Sequence, residues 1–313
     1  MVAVTTADHR DCASCSVSGS ECATCAISAE VAAWFRTDGR DLPWRAPGYG
    51  AWGVLVSEIM LQQTQVSRVI PRLEQWLQRW PTPSALAAEP AAEAVRAWDR
   101  LGYPRRALAL HAAATVIADE HGDVVPADVD ALLRLPGIGD YTARAVAVFA
   151  YGQRHPVVDT NTRRVIARAI RGEGEAGPPS GRRDLAAMEA LLPADVAEST
   201  VVNAGMMELG QMVCTARAPR CEVCPIASMC AWRAAGYPLY DGPAAPKQAR
   251  FEGSDRQVRG RIMAELRAAD LPVSRAELAG VDPDPARVDR VLSGLVKDGL
   301  TVEDSSGGFQ LPG

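Results

Sequence analysis

The chain has 313 residues, 48% of them hydrophobic, and a formal net charge of −5. That length and apolar content suffice for two folded domains, or one with an appendage, and exclude a wholly disordered chain. No uninterrupted apolar run approaches the ~20 residues that cross a bilayer, and Asp8, Arg10 and Asp11 interrupt any secretory leader, so a cytoplasmic location is expected. The acidic balance excludes polyanion binding through bulk charge but leaves room for a local basic face.

Cys12, Cys15, Cys22 and Cys25 open the chain with C-x2-C-x6-C-x2-C spacing in a Ser/Ala/Thr-rich stretch. Paired knuckles of this kind usually hold zinc, whereas the short central loop and its surroundings read as a disordered extension; both readings of residues 1–28 stand. From Ala29 to Ala235 apolar residues recur at three- and four-residue spacing, as in Val54, Leu55, Met60, Leu61, Val66, Val69 and Ile70. With little β-branched alternation, this predicts helices.

Within that stretch, Ser57 to Val66 puts Glu58 and several amides on a mostly apolar helix. Leu135-Pro136-Gly137-Ile138-Gly139 then separates two helical segments. Its two glycines permit a tight hairpin with outward N–H groups beside a helix N-terminus, which holds a DNA phosphate without reading sequence. Asp159 follows the apolar pair Val157-Val158. Taken singly, Glu58 or Asp159 reads as well as a helix cap or an ion-pair partner. Arg163, Arg164, Arg168 and Arg171 lie between Asn161 and Gly172 with no acid among them, which suggests a local basic face or a solvated arginine face.

Cys214, Cys221, Cys224 and Cys230 have the spacing C-x6-C-x2-C-x5-C. In a cytoplasmic chain such a cluster binds metal rather than forming disulfides, and thiolates suit either zinc or an iron–sulfur cluster. Pro238, Gly242, Pro243 and Pro246 mark a linker over 236–254. Beyond it, Val258, Ile262 and Leu266 suggest one helix, Ser274 to Ala279 a second, and Arg287 to Lys297 a third that Gly299 stops. Leu300 to Leu311, broken by Ser305-Ser306-Gly307-Gly308, suggests a two-stranded wing. The pattern over 255–313 is a winged-helix-like module, suited to DNA contact, to packing or to docking a repair partner.

Over roughly residues 30–235 these segments resemble the adenine glycosylases of the MutY family. The resemblance rests on Asp41-Leu42-Pro43-Trp44-Arg45, the Glu58 to Val66 run, Leu101-Gly102-Tyr103, the hairpin, Asp159 and the cysteine spacing, the last shared with endonuclease III. It implies a mainly α, two-lobed helix-hairpin-helix fold. The barrel would span about 51–154, and the iron–sulfur lobe 29–50 with 155–235, carrying a [4Fe–4S] cluster on Cys214, Cys221, Cys224 and Cys230. It further implies action on double-stranded DNA in base-excision repair, hydrolysing adenine mispaired with 8-oxoguanine or guanine; a monomer is expected, though no residue pattern sets the oligomeric state.

By the same resemblance Glu58 protonates the adenine and later serves the attacking water, and Asp159 stabilises the oxocarbenium-like sugar. Tyr141 and Asn161 match pocket residues around that sugar. Gln63 and Tyr103 match residues that enter the base stack, Thr64 and Leu101 lie beside the opposite base, and Pro136, Gly137, Ile138 and Gly139 hold the backbone. The chemistry explains the two acids: a poor purine leaving group needs a proton and a sugar cation needs negative charge. Ile59, Met60 and Leu61 around Glu58 favour its keeping a proton. The base must also be flipped out, at a cost of a few kcal/mol.

Lyase chemistry requires an amine. Endonuclease III relatives place a lysine where this chain has Tyr141, and no lysine occurs from Met1 to Pro246. A thymine-mismatch glycosylase and a non-catalytic iron–sulfur DNA-binding protein are the alternatives. The run Leu61-Gln62-Gln63-Thr64-Gln65 after Glu58 favours adenine, and the pair of acids favours catalysis. Three departures from the family pattern stand out. Pro104 follows Tyr103 in place of a second tyrosine, and Thr160 replaces a glycine. The segment after the linker is too short for the usual Nudix-like domain that checks for 8-oxoguanine, which leaves the preferred opposite base open.

Overall fold

Helices carry the chain, as its periodicity predicts. The structure, a computed structural model, describes residues 23–243 and 250–313. In order come α1 (Ala23–Asp38), α2 (Gly50–Leu61), α3 (Val66–Arg79), α4 (Pro83–Ala87), α5 (Ala91–Trp98), α6 (Arg105–Glu120), α7 (Val129–Arg134) and α8 (Asp140–Phe149). There follow α9 (Thr160–Ile166), α10 (Gly181–Glu189), α11 (Val196–Met212) and the short α12 (Ala231–Ala234). The tail consists of α13 (Asp255–Ala268), β1 (Val273–Ser274), α14 (Arg275–Ala279), α15 (Pro285–Lys297), β2 (Val302–Glu303) and β3 (Gly308–Gln310). No helix among the described residues is long and apolar enough to cross a membrane.

The described residues fall into two compact units, 23–47 with 143–243, and 48–142 with 250–313. By its contacts the tail groups with α2 to α7.

In the first unit α1 packs along α11, and Val31, Ile166, Met188, Met206 and Leu209 form a core essentially closed to solvent. Asp195 starts α11 by accepting the Glu198 N–H, a local cap that needs no tertiary partner. Gly210 lets α11 approach the start of α9: a Cβ there would lie 2.8 Å from Asn161 Cβ and carbonyl oxygen.

In the second unit the core is aromatic. Trp76 meets Trp80 and Trp98 edge-to-face, with ring centroids 4.6 and 5.7 Å apart, and Trp52 Nε1 donates to the Trp80 carbonyl at 3.0 Å. Every residue of α2 from Trp52 to Met60 is buried, as expected of a helix apolar nearly all round. The tail has winged-helix order, with Ser274 and Glu277 forming a reciprocal cap at the start of α14. Its sheet has three strands, β1-β3-β2, both pairings antiparallel. The sequence suggested two; β1 is only Val273 and Ser274, too short to leave an alternating pattern.

Candidate active site and iron–sulfur centre

Glu58 lies in the middle of α2 and is 4% exposed. The helix ends at a turn in which Gln63 is exposed and has φ of 56°, a conformation that is strained for a residue with a Cβ. A second loop between α5 and α6 shares this property: Asp99, Gly102 and Tyr103 have φ of 46°, 86° and 48°, and Tyr103 is 54% exposed. Leu101 is buried instead, at 4% exposure. Its side chain is closed off from solvent, while its carbonyl accepts a bond from Thr64 Oγ1 at 3.3 Å.

One side chain missed by sequence reasoning joins the two loops. Arg106, in the first turn of α6, donates from Nη1 to the carbonyls of Ile59 (2.9 Å), Met60 (3.2 Å) and Gln62 (2.5 Å). Its Nη2 reaches Thr64 Oγ1 at 3.2 Å and the Gly102 carbonyl at 2.8 Å. It thus satisfies the orphan carbonyls at the end of the Glu58 helix and fixes both strained turns, while its guanidinium faces the Trp98 and Tyr103 rings. Burial pushes its pKa down to about 10, with Tyr103 opposing the shift.

The hairpin forms where its glycines place it. Asp128 caps α7, the Ile138 N–H bonds back to Leu135 at 3.2 Å, and α8 follows, with Tyr141 in its first turn. Gly137 is required twice over: its φ is +74°, and a Cβ would lie 2.5 Å from Ala109 Cβ. Gly139 and the residues to either side of Ile138 are exposed or half-buried, and Ile138 itself anchors the turn in the core.

In the other unit Asp159 caps α9. Its Oδ1 accepts the Thr162 N–H at 2.7 Å and its Oδ2 accepts from Asn161 Nδ2 at 2.6 Å. Asn161 Oδ1 in turn accepts from Arg164 Nη2 at 2.8 Å, and the same guanidinium donates to the Gly210 and Cys214 carbonyls at 2.6 and 2.7 Å. A half-buried carboxylate is thereby tied through two side chains to the first cysteine of the cluster.

The arginine run is not a solvated basic face. Arg163 pairs with the buried Asp184 at 2.7 Å, Arg171 pairs with Glu173, and Arg168 is 4% exposed. Arg168 donates to the carbonyls of Gly174, Thr215 and Ala216 and to Cys214 Sγ, with its guanidinium 4.7 Å from the Trp232 ring centroid. Arg164 and Arg168 turn inward to carbonyls of the cysteine loop, at Cys214, Thr215 and Ala216.

Cys214, Cys221, Cys224 and Cys230 line one shared pocket, and none is in a disulfide. Burial pushes the Cys224 thiol up to about 11 and raises Cys214 as well, with Arg168 opposing the latter. Such thiols ionise when a cationic centre offsets desolvation. Four thiolates around one shared space are the donor set of a [4Fe–4S] cluster and of tetrahedral zinc alike. Of the N-terminal cysteines, Cys25 lies on α1, and Cys12, Cys15 and Cys22 fall outside the described residues.

Residues 56–186 match the HhH-GPD superfamily of base excision DNA repair proteins, and residues 214–230 match the iron-sulfur binding domain of endonuclease III. The adenine DNA glycosylase of Mycobacterium tuberculosis H37Rv is 55% identical over 284 residues, covering 90% of this chain and 92% of that protein. The chain belongs to the adenine DNA glycosylase family. The Homo sapiens member is 39% identical over 210 residues, covering 64% of this chain and 38% of the human one. Among solved structures, a thermostable thymine-DNA glycosylase superposes with a TM-score of 0.62 at 26% identity, over 68% of this chain and 97% of that one. An endonuclease III–DNA complex gives a TM-score of 0.58 at 22% identity, over 67% of this chain and 95% of that one, a likeness of fold. The match over residues 214–230, the segment that spans the four cysteines, supports an iron–sulfur cluster in this chain.

Proposed function

We propose that this chain excises adenine mispaired with 8-oxoguanine or guanine in double-stranded DNA, by hydrolysis and without a lyase step. The observation that carries the reading is Glu58, a carboxyl 4% exposed in an otherwise apolar helix whose C-terminal turn presents Gln63. Gln63 and Tyr103 enter the stack and hold the gap left by the flipped base, their strained backbones set before DNA arrives. The Pro136 to Gly139 hairpin grips a phosphate through backbone N–H groups.

Glu58 gives its proton to the adenine ring, the C1′–N bond breaks with its electron pair leaving on the base, and the Asp159 carboxylate stabilises the sugar cation. Asn161 orients Asp159, and Tyr141 lines the sugar pocket. Water then adds to C1′ and loses its proton to the Glu58 carboxylate, which restores the acid. The cluster, when bound, cross-links the 214–230 loop and takes no part in bond cleavage. The absence of lysine from Met1 to Pro246 supports hydrolysis over Schiff-base chemistry.

A second reading, thymine excision, is favoured by two relatives. One is the solved thymine-DNA glycosylase; the other is a Pyrobaculum aerophilum thymine/uracil-DNA glycosylase, 34% identical over 201 residues. Single-turnover base release from A·8-oxoguanine, A·G and T·G duplexes separates the two. Adenine release from the first two is expected, and thymine release alone would replace the assignment.

A further inference from the structure

The residues of the C-terminal module that could meet DNA are occupied within the module itself. In α15, the helix that would read a groove in a DNA-binding winged helix, the arginines are already engaged by acids. Arg290 pairs with Asp255 at 2.9 Å and Arg287 with Asp282 at 3.3 Å, while Asp289 of the same helix holds Arg275 at 2.6 Å. The wing carries Glu303 and Asp304, and Asp304 accepts the Ser306 and Gly308 N–H groups. A DNA phosphate would have to compete with these carboxylates for each guanidinium.

What the module does contact is the loop that carries Leu101 and Tyr103, from both flanks. Before the loop, Arg96 in the last turn of α5 donates to the Arg267 carbonyl and, at 2.9 Å, to the Ala269 carbonyl. These are carbonyls at the C-terminal end of α13, which a cation is well placed to satisfy. After the loop, Arg105 opens α6 and pairs with Asp298 at 3.4 Å; Arg259 holds Asp298 from within the module at 2.6 Å. Between the flanks, the charges of Asp99 and Arg100 act on the half-buried Arg267 in opposite senses. From the opposite side Arg72 pairs with Asp99 and Arg68 donates to the Arg100 carbonyl. The strained backbone of Asp99 and Tyr103 is thus held from α3 on one side and from the module on the other.

We propose that the C-terminal module is a clamp on the Asp99–Pro104 loop. Through Arg96, Arg267 and Asp298 it fixes the geometry in which Tyr103 enters DNA, and it does not grip DNA itself. This rests on the reading of Tyr103 as an intercalating wedge. Arg96, Arg267 and Asp298 are positioning residues, acting through the loop.

The test uses the full-length, cluster-loaded protein and a duplex with 2-aminopurine beside the base opposite the target adenine, where wedge entry unstacks the probe and raises its fluorescence. Arg267→Met and Arg96→Met should diminish the fluorescence rise and slow single-turnover base release on the order of ten-fold. The slope of log Kd against log salt should stay unchanged, and Arg267→Lys should restore most of both losses. Should either methionine variant fail to fold, Asp298→Asn releases Arg105 from the far flank and should give a smaller loss of the same kind. Unchanged fluorescence and rate would overturn the clamp, as would a slope reduced by about one phosphate contact, the mark of direct DNA binding. No fluorescence rise with the wild type would overturn the wedge reading and the clamp with it.

Discussion

Arg164 Nε donates to the Cys214 carbonyl at 2.7 Å. Because Nη2 of the same residue holds Asn161, which holds Asp159, the cysteine loop and the carboxylate share one guanidinium. Arg164→Gln should therefore lower single-turnover base release by about ten- to a hundred-fold through misplacement of Asp159. It should weaken duplex binding far less. Base release measured beside the visible absorbance of the cluster checks this; unchanged release with the cluster intact would break the link.

Arg106→Met should cost about 2–3 kcal/mol of stability, since it strands buried carbonyls at the end of α2 that a charged donor now satisfies. Arg106→Lys should recover little of the loss, because an ammonium cannot reach five or more acceptors in a planar fork. Urea midpoints of the three proteins, at unchanged m-value, provide the check.

Two buried carboxyls of the first unit predict acid sensitivity. Burial pushes Glu208 up, but bonds from Arg40 and the charge and bond of Arg45 outweigh it and hold the group below its ordinary value. Asp184 is held down likewise, against burial, by the Ser180 N–H and Arg163. A carboxyl whose folded pKa is depressed contributes its full stabilisation above the unfolded value, near ~4, and loses it as pH falls through the folded value. Thermal stability should be level above about pH 5 and should decline below about pH 4. Glu208→Gln should be less stable at neutral pH and should flatten the decline; an equally steep acid limb in that variant would remove Glu208 as a cause.

The hairpin glycines should differ. Gly137→Ala meets both a positive φ and a 2.5 Å contact with Ala109 Cβ and should cost about 1–3 kcal/mol. Gly139→Ala has nothing within 4 Å of the new Cβ and should fold normally. Differential scanning calorimetry on the pair tests this, and equal melting temperatures would refute it.

These contrasts show what the sequence discloses. The hairpin, the cysteine spacing and the helical periodicity are local, and each appears in the structure where its residues predict. Asp159 performs the bland role of a cap, which does not conflict with a chemical one, since both N–H donors leave lone pairs available. Long-range arginine contacts were not legible. Arg106 reaches back more than forty residues to α2, and Arg164 reaches fifty forward. Neither separation leaves a periodic trace, and Arg164 and Arg168 read as surface charge because their acceptors are mostly main-chain carbonyls, invisible in composition. The burial of Leu101 was likewise set by the fold of its loop.

The most direct test of the central claim is single-turnover base release from an A·8-oxoguanine duplex by the wild type, Glu58→Gln and Asp159→Asn. The expected result is adenine release by the wild type, reduced by at least about a hundred-fold in Glu58→Gln and strongly reduced in Asp159→Asn, with duplex binding retained by both. Adenine release by Glu58→Gln at the wild-type rate, or tight binding by the wild type with no release from any mismatch, would contradict it.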